Sequence, residues 1–197
     1  MKFRSRLVVN LNSLKHNFEE VQKIAPNNKI IFMVKADGYG HGMYEITRYA
    51  CTNLGIKEFG CATLKEAIDL RENLRELEFD IYVFSDTQLT EPGNDELYLN
   101  LRIIPVISKF QELDFVLQHQ DFKNFPICIK FNTGMNRLGF MMTELDLVIN
   151  KLKQHHKNQI HHLLTHYANG SYSMTKDHYN IKQRENFELV KKKFLEN

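Results

Sequence analysis

Val34-Lys35-Ala36-Asp37-Gly38-Tyr39-Gly40-His41-Gly42 follows directly on the run Lys29-Ile30-Ile31-Phe32-Met33. That apolar, partly β-branched run reads as a buried parallel strand. A lysine therefore stands at the carboxyl end of a strand, with a glycine-rich turn behind it. In α/β proteins this end of the sheet is where ligands bind and where chemistry is placed. An amine desolvated at such a position is freed for Schiff-base chemistry. Glycines at 38, 40 and 42 let the backbone approach a ligand closely, and Tyr39 offers a hydroxyl to an anionic group such as phosphate. As residue types alone, the same string also describes a solvated strand-end lysine before an ordinary turn.

Outward from this point, strand-like and helix-like segments alternate to both ends. Leu7–Leu11 reads as a strand, and Leu14, Phe18 and Val21 then set a helical spacing with Asn12 or Ser13 as N-cap. After the Lys29–Val34 strand comes a helix from about Tyr44 to Leu54, with Gly55 placed to end it. Phe59–Ala62 is a short strand, and Thr63-Leu64-Lys65-Glu66 has the capping-box spacing that opens a helix through about Glu72. Phe79–Phe84 is a strand; the polar segment around Pro92-Gly93 has no assignment. Arg102–Ile107 is a strand followed by a second capping-box pattern, Ser108-Lys109-Phe110-Gln111. Pro126–Phe131 is a strand, and Thr143 to Asp146 cap a helix whose face is Leu145, Val148, Ile149 and Leu152. Ile160–Thr165 is a strand, and a last helix carries Phe187, Val190 and Phe194 to the end of the chain. Repeated βα units of this size predict a parallel sheet, doubly wound or closed into a (βα)8 barrel.

At 197 residues the chain fits a single domain on length alone. Hydrophobic residues at 43% and charged residues at 25% are ordinary for a soluble globular protein, and a net charge of +2 argues neither for a nucleic-acid partner nor for an anionic membrane surface; neither partner is expected. Met1 to Arg6 is basic but leads into no secretory apolar region, and nothing approaches transmembrane length, so a cytoplasmic protein is expected. Cys51, Cys61 and Cys128 have no metal-type spacing and read as buried free thiols in a reducing compartment. The lysines at 191–193 and around 151–157 read as a solvated helix face. His155, His156, His161 and His162 fit no zinc template and read as solvated histidines; no metal is expected. The glycine-rich turn has neither the GxGxxG spacing of a dinucleotide fingerprint nor the Lys-Ser or Lys-Thr of a phosphate loop.

The nine-residue string closely resembles the pyridoxal-phosphate lysine motif of bacterial alanine racemases, a strand ending in V-K-A-(D/N)-(A/G)-Y-G-H-G. Two further strand ends resemble the same family. Lys130-Phe131-Asn132-Thr133-Gly134-Met135-Asn136-Arg137-Leu138-Gly139 is similar to its K-x-D-T-G-M-x-R-L-G stretch, and Thr165-His166-Tyr167-Ala168 to its T-H-(F/Y)-A motif. Phe59 to Ala67 matches in pattern and reads as scaffold. The resemblance favours the barrel and implies pyridoxal 5'-phosphate held as a covalent Schiff base on Lys35, which also acts as one acid/base. It implies that Tyr39 helps hold the phosphate, that Arg137 steadies the cofactor's ring oxygen, and that His166 belongs to the proton network. Lys130 stands where some members carry a carbamylated lysine that steadies the arginine.

The strand-like elements amount to roughly the first six to seven of a barrel's eight. The expected fold is thus an incomplete α/β (βα)8 TIM-barrel, one partial cofactor-binding domain over 1–197, with the family's C-terminal β-domain and its second catalytic tyrosine absent. The resemblance implies an alanine racemase making D-alanine for peptidoglycan, a homodimer when complete. The isolated chain is expected to be an N-terminal fragment that racemises alanine poorly or not at all. A racemase for another amino acid and a non-catalytic cofactor-binding module are the alternatives; a fold-sharing decarboxylase fits the Gly-Tyr-Gly-His-Gly string least.

Overall fold

The computed structural model describes residues 6–157, 160–170 and 178–196. The stretch Met1–Ser5 read above for a leader, and the terminal Asn197, lie outside them. The chain divides into two compact units, Met1–Asp86 and Thr87–Asn197.

In the first unit, α1 (Leu11–Ile24) precedes β1 (Ile31–Met33), the short turn α2 (Lys35–Gly40), α3 (Met43–Asn53), β2 (Glu58–Thr63), α4 (Leu64–Asn73) and β3 (Asp80–Asp86). The three strands run parallel, β1 on β2 with Phe32 opposite Phe59 and Met33 opposite Gly60, and β2 on β3 with Gly60 opposite Tyr82. Gly60 has to be glycine: a Cβ there would lie 2.3 Å from the Met33 sulfur. Phe59 is fully buried and meets Phe79 edge-on at 5.2 Å. Thr63 and Glu66 form the expected capping box at the start of α4, the Thr63 hydroxyl accepting from the Glu66 amide.

The second unit holds α5 (Asn94–Leu101), β4 (Ile103–Ile107), α6 (Phe110–Gln118), β5 (Ile127–Asn132), β6 (Phe140–Met141), α7 (Leu145–Gln154), β7 (Ile160–Leu164) and α8 (His178–Leu195). β5 is flanked by β4 and β7, both parallel to it, with Ile107 opposite Ile129 and Lys130 opposite Leu164. All five residues of β4 are buried, as a strand covered on both faces requires. On α7 the expected face is the buried one: Leu145, Val148, Ile149 and Leu152.

Several readings are corrected. Residues 6–10 form no strand; Leu7 and Val8 are exposed, and α1 begins at Leu11 because Asn10 caps it, its side chain accepting from the Asn12 amide. The segment after Pro92-Gly93 is helical: Gly93 takes a left-handed conformation and launches α5. The second capping pattern is one residue out of step. Lys109 is the N-cap of α6, and Glu112, three residues in, reaches back to the Ser108 amide and takes the Thr87 hydroxyl at 2.5 Å. Lys157 does not belong to a solvated face: it is 6% exposed, and its ammonium donates to the carbonyls of Phe122, Lys123 and Phe125. None of the described helices is long and apolar enough to cross a membrane.

Candidate active site

The turn that carries Lys35 is wound the wrong way round. Ala36, Asp37, Gly38 and Tyr39 all have φ between 50° and 61° with ψ between 38° and 50°, a single left-handed helical turn at the end of β1. For an L-residue this conformation costs roughly 1–2 kcal/mol, so the three non-glycine residues together store on the order of 3–6 kcal/mol. Strain of that size persists only where the surroundings over-determine it.

Here they do so bond by bond. The Val34 amide donates to the Gly60 carbonyl at 2.8 Å, fixing the strand end to β2. Gly38 N donates to Val34 O at 2.8 Å, and Gly42 N to Asp37 O at 2.9 Å. The Asp37 carboxylate accepts the Met43 amide at 2.8 Å and so caps α3. The Ala36 amide, the first after Lys35, donates to Oε1 of Glu66 at 2.7 Å. Gly38 is required both by its φ of +61° and by space, since a Cβ there would lie 2.3 Å from Cδ1 of Ile46. Out of this turn the half-buried Lys35 extends its amine to 5.7 Å from the centre of the Tyr39 ring, within cation–π range. Tyr39 itself is 59% exposed, so its hydroxyl is open to a ligand.

The second strand-end cluster lies at β5 and β7. Lys130, 6% exposed, lines a narrow crevice with Phe131, Asn132, Met135, Arg137, Leu138 and His166. The Asn132 side-chain oxygen accepts the amides of Gly134 and Asn136 at 3.1 and 3.0 Å, an Asx-type turn that sets the loop leading to Arg137. Gly139 closes the loop with its backbone pressed onto β5: a Cβ would lie 2.7 Å from Asn132 N. Across the strands the Thr133 and Thr165 hydroxyls share a hydrogen bond of 2.7 Å. Gln183 of α8 ties these ends together, donating to the His166 carbonyl at 3.1 Å and accepting from the Ala168 amide at 2.9 Å. Arg137 and His166 are both exposed.

The expected residues therefore fall at strand ends, Lys35 with Tyr39 in the first unit and Arg137 with His166 and Lys130 in the second. Sequence reading missed Gln183 and the longer reach of Glu66. Glu66 was visible only as half of a capping box; nothing local in Gln183 announces its buried position on a largely charged helix. All three cysteines are free and buried, and burial, with the nearby Glu66 charge, pushes the Cys61 thiol up to about 12. His155 and His156 are exposed at the end of α7, while His161 and His162 sit on β7 with their rings 4.5 Å apart.

Parallel βα units with a lysine just beyond the end of the first strand define a class, an α/β fold of parallel strands, which the solved structure named below gives as an incomplete (βα)8 barrel. The family follows from comparison. The profile of the alanine racemase N-terminal domain matches residues 9–197, and the chain belongs to that family. It is 32% identical over 174 residues to an alanine racemase of Nitrosomonas europaea, covering 88% of this chain and 46% of the relative. An amino-acid racemase of Enterococcus faecalis is 31% identical over 150 residues, 74% of this chain and 20% of the relative. Among solved structures, the alanine racemase of Bartonella henselae with covalently bound pyridoxal phosphate superposes with a TM-score of 0.79 at 25% identity, over 92% of this chain and 52% of its own. The chain thus spans about half the length of the alanine racemases it matches.

Proposed function

We propose that this chain is the cofactor-binding part of a pyridoxal-phosphate-dependent alanine racemase, with Lys35 as the residue that holds the cofactor. The observation that carries the reading is the strained, fully braced left-handed turn directly behind a strand-end lysine, in a chain of this family. The residues present fit the group: a half-buried amine, a hydroxyl-bearing ring beside it, and a glycine-rich backbone on both sides of that ring. Bound pyridoxal phosphate supplies an aldehyde for a lysine amine and a ring that takes up the electron pair left when an amino acid loses its Cα proton.

The chain's own residues do the rest. Lys35 would hold the cofactor and would take or return a Cα proton through Nζ. The exposed Tyr39 hydroxyl would donate to phosphate. Arg137 is a permanent cation whose planar fork suits an oxyanion on the ring, and the buried Lys130 lines the same crevice. The His166 imidazole donates or accepts a proton as its tautomer allows. Alanine as substrate, a homodimeric whole protein, a cytoplasmic location and a role in supplying D-alanine to peptidoglycan belong to this proposal. The amino-acid racemase among the relatives supports one second reading, the same chemistry on another amino acid.

The test is chemical. The chain is mixed with pyridoxal phosphate, reduced with borohydride, and the modified peptide mapped by mass spectrometry. One label per chain on Lys35, lost in Lys35→Ala, is the expected result. Label scattered over surface lysines, or unchanged in Lys35→Ala, removes Lys35 from the role.

A further inference from the structure

Glu66 carries two jobs on two oxygens. Its Oε2 accepts the amides of Ala62 and Thr63 at 2.8 and 3.3 Å, which is the local capping function at the start of α4. Its Oε1 accepts the amide of Ala36 at 2.7 Å, thirty residues away in sequence, from the residue that directly follows Lys35. A capping box does not need that third contact.

The Ala36 amide shares a peptide plane with the Lys35 carbonyl. Holding it fixes the plane that leaves Lys35, while the Val34 amide, bonded to the Gly60 carbonyl, fixes the chain just before it. Lys35 is thereby gripped on both sides, and the direction of its Cα–Cβ bond is set before any ligand arrives. Ala36 is also the first of the left-handed residues, so the same bond starts the strained turn that presents Tyr39. A carboxylate is needed for this, because both oxygens must accept. Glutamine could serve only one side and would turn its NH2 toward a backbone N–H on the other. Glu112 is the control built into the fold: it occupies the same third position of α6 and reaches back to Ser108, but its other partner is a threonine hydroxyl, not a backbone beside a reactive lysine.

We propose that Glu66 is a positioning residue for the cofactor lysine, acting through the Ala36 amide to hold Lys35 and the left-handed turn in the geometry that captures pyridoxal phosphate. This rests on the assignment of Lys35 above. It deepens that assignment by locating the rigidity of the site in the helix after the second strand.

The experiment compares the full chain with its Glu66→Gln, Thr63→Ala and Glu112→Gln variants. Three quantities are read: hydrogen exchange at the Ala36 amide, the apparent Kd for pyridoxal phosphate from borohydride-fixed label on Lys35, and the circular dichroism induced in the bound cofactor. Glu66→Gln is expected to speed Ala36 exchange at least tenfold, raise the apparent Kd about tenfold and shrink the induced signal. Thr63→Ala, which weakens the cap of the same helix, and Glu112→Gln, which weakens that of another, are expected to stay within about twofold on all three. Glu66→Asp, which keeps the charge but is too short to span both sides, replaces the glutamine variant if that melts below the assay temperature.

A Glu66→Gln chain that binds within twofold of the parent overturns the proposal, and so does a Thr63→Ala chain that loses as much, since helix stability would then account for both. If the parent chain itself takes no label on Lys35, the cofactor assignment fails and the positioning role falls with it; label kept equally by the parent and Glu66→Gln removes only the latter.

Discussion

Lys35 and Lys157 are two lysines withdrawn from water, and the fold uses them in opposite ways. Lys157 is buried just beyond the end of α7 with its ammonium spread over the carbonyls of Phe122, Lys123 and Phe125, in the segment before β5. Burial pulls its pKa down from 10.5 to about 8. Lys35 is half-buried, its backbone is gripped rather than its amine, and its Nζ faces an exposed tyrosine ring. A depressed lysine is often taken as the mark of a reactive site. Here Lys157 is a structural plug whose proton donors are committed, and Lys35 is the lysine whose surroundings hold the chain rather than the amine. Geometry separates the two.

The comparison breaks if the two lysines exchange their effects. Lys157→Met removes a charged donor from three carbonyls, of which Phe122's keeps the Phe125 amide, and is expected to cost about 2–3 kcal/mol of stability, read from the denaturant midpoint, while label on Lys35 persists. Lys35→Ala should change stability by no more than about 0.5 kcal/mol while abolishing the label. A stable Lys157→Met chain, or a Lys35→Ala chain that unfolds, would reverse the roles.

The turn itself offers a finer test. Gly38→Ala meets both a φ of +61° and the Ile46 side chain, whereas Gly40→Ala, at φ +82°, meets nothing within 4 Å. The first should cost about 2 kcal/mol or more and the second about 1 kcal/mol, the backbone term alone. Equal losses in thermal melts would mean that Ile46 gives way and that the turn is looser than its hydrogen bonds imply.

What could be read in the sequence tracks the range of the interaction. The strand before Lys35, the capping box of Thr63 and Glu66, and the face of α7 are set by residues close in sequence, and all were legible, although that strand is shorter than read (Ile31–Met33) and half-buried rather than buried. The left-handed winding was not. Glycines at 38, 40 and 42 signalled freedom at those positions, but Ala36, Asp37 and Tyr39 are held left-handed by partners as distant as Glu66. Lys157 was misread for the same reason: in sequence it closes a lysine- and histidine-rich stretch, and its burial comes from carbonyls more than thirty residues earlier. The stretch around Leu7 failed in the other direction. Its residue types suit a strand, but the Asn10 cap fixes the start of a helix and Leu7 and Val8 stay exposed. Of the candidate site, the residues proposed to meet a ligand were visible as motifs, and the contacts that hold their strand ends, from Glu66 to Ala36 and from Gln183 to His166 and Ala168, were not.

The smallest effect follows from the proton on Lys157, and its sign is fixed by the direction of the shift. In the unfolded chain the lysine titrates near its ordinary 10.5; in the folded chain it does so near 8. Below pH 8 both states carry the proton, and burying the charge costs the same at every pH. Between 8 and 10.5 the unfolded state binds more protons than the folded one, so stability contributed by this residue rises with pH across that window and is level above it. Because the three carbonyls favour the ammonium and offset part of the cost of burying it, the rise is expected to be about 1 kcal/mol. It is best read as the difference between the parent chain and Lys157→Met in denaturant midpoints measured at pH 7.5 and at about pH 10, since other groups titrating there cancel in the difference. A gap between the two chains that widens with pH supports the buried plug. One that narrows would mean that the three carbonyls favour the ammonium more strongly than burial opposes it, so that Lys157 would keep its proton to higher pH than the unfolded chain does.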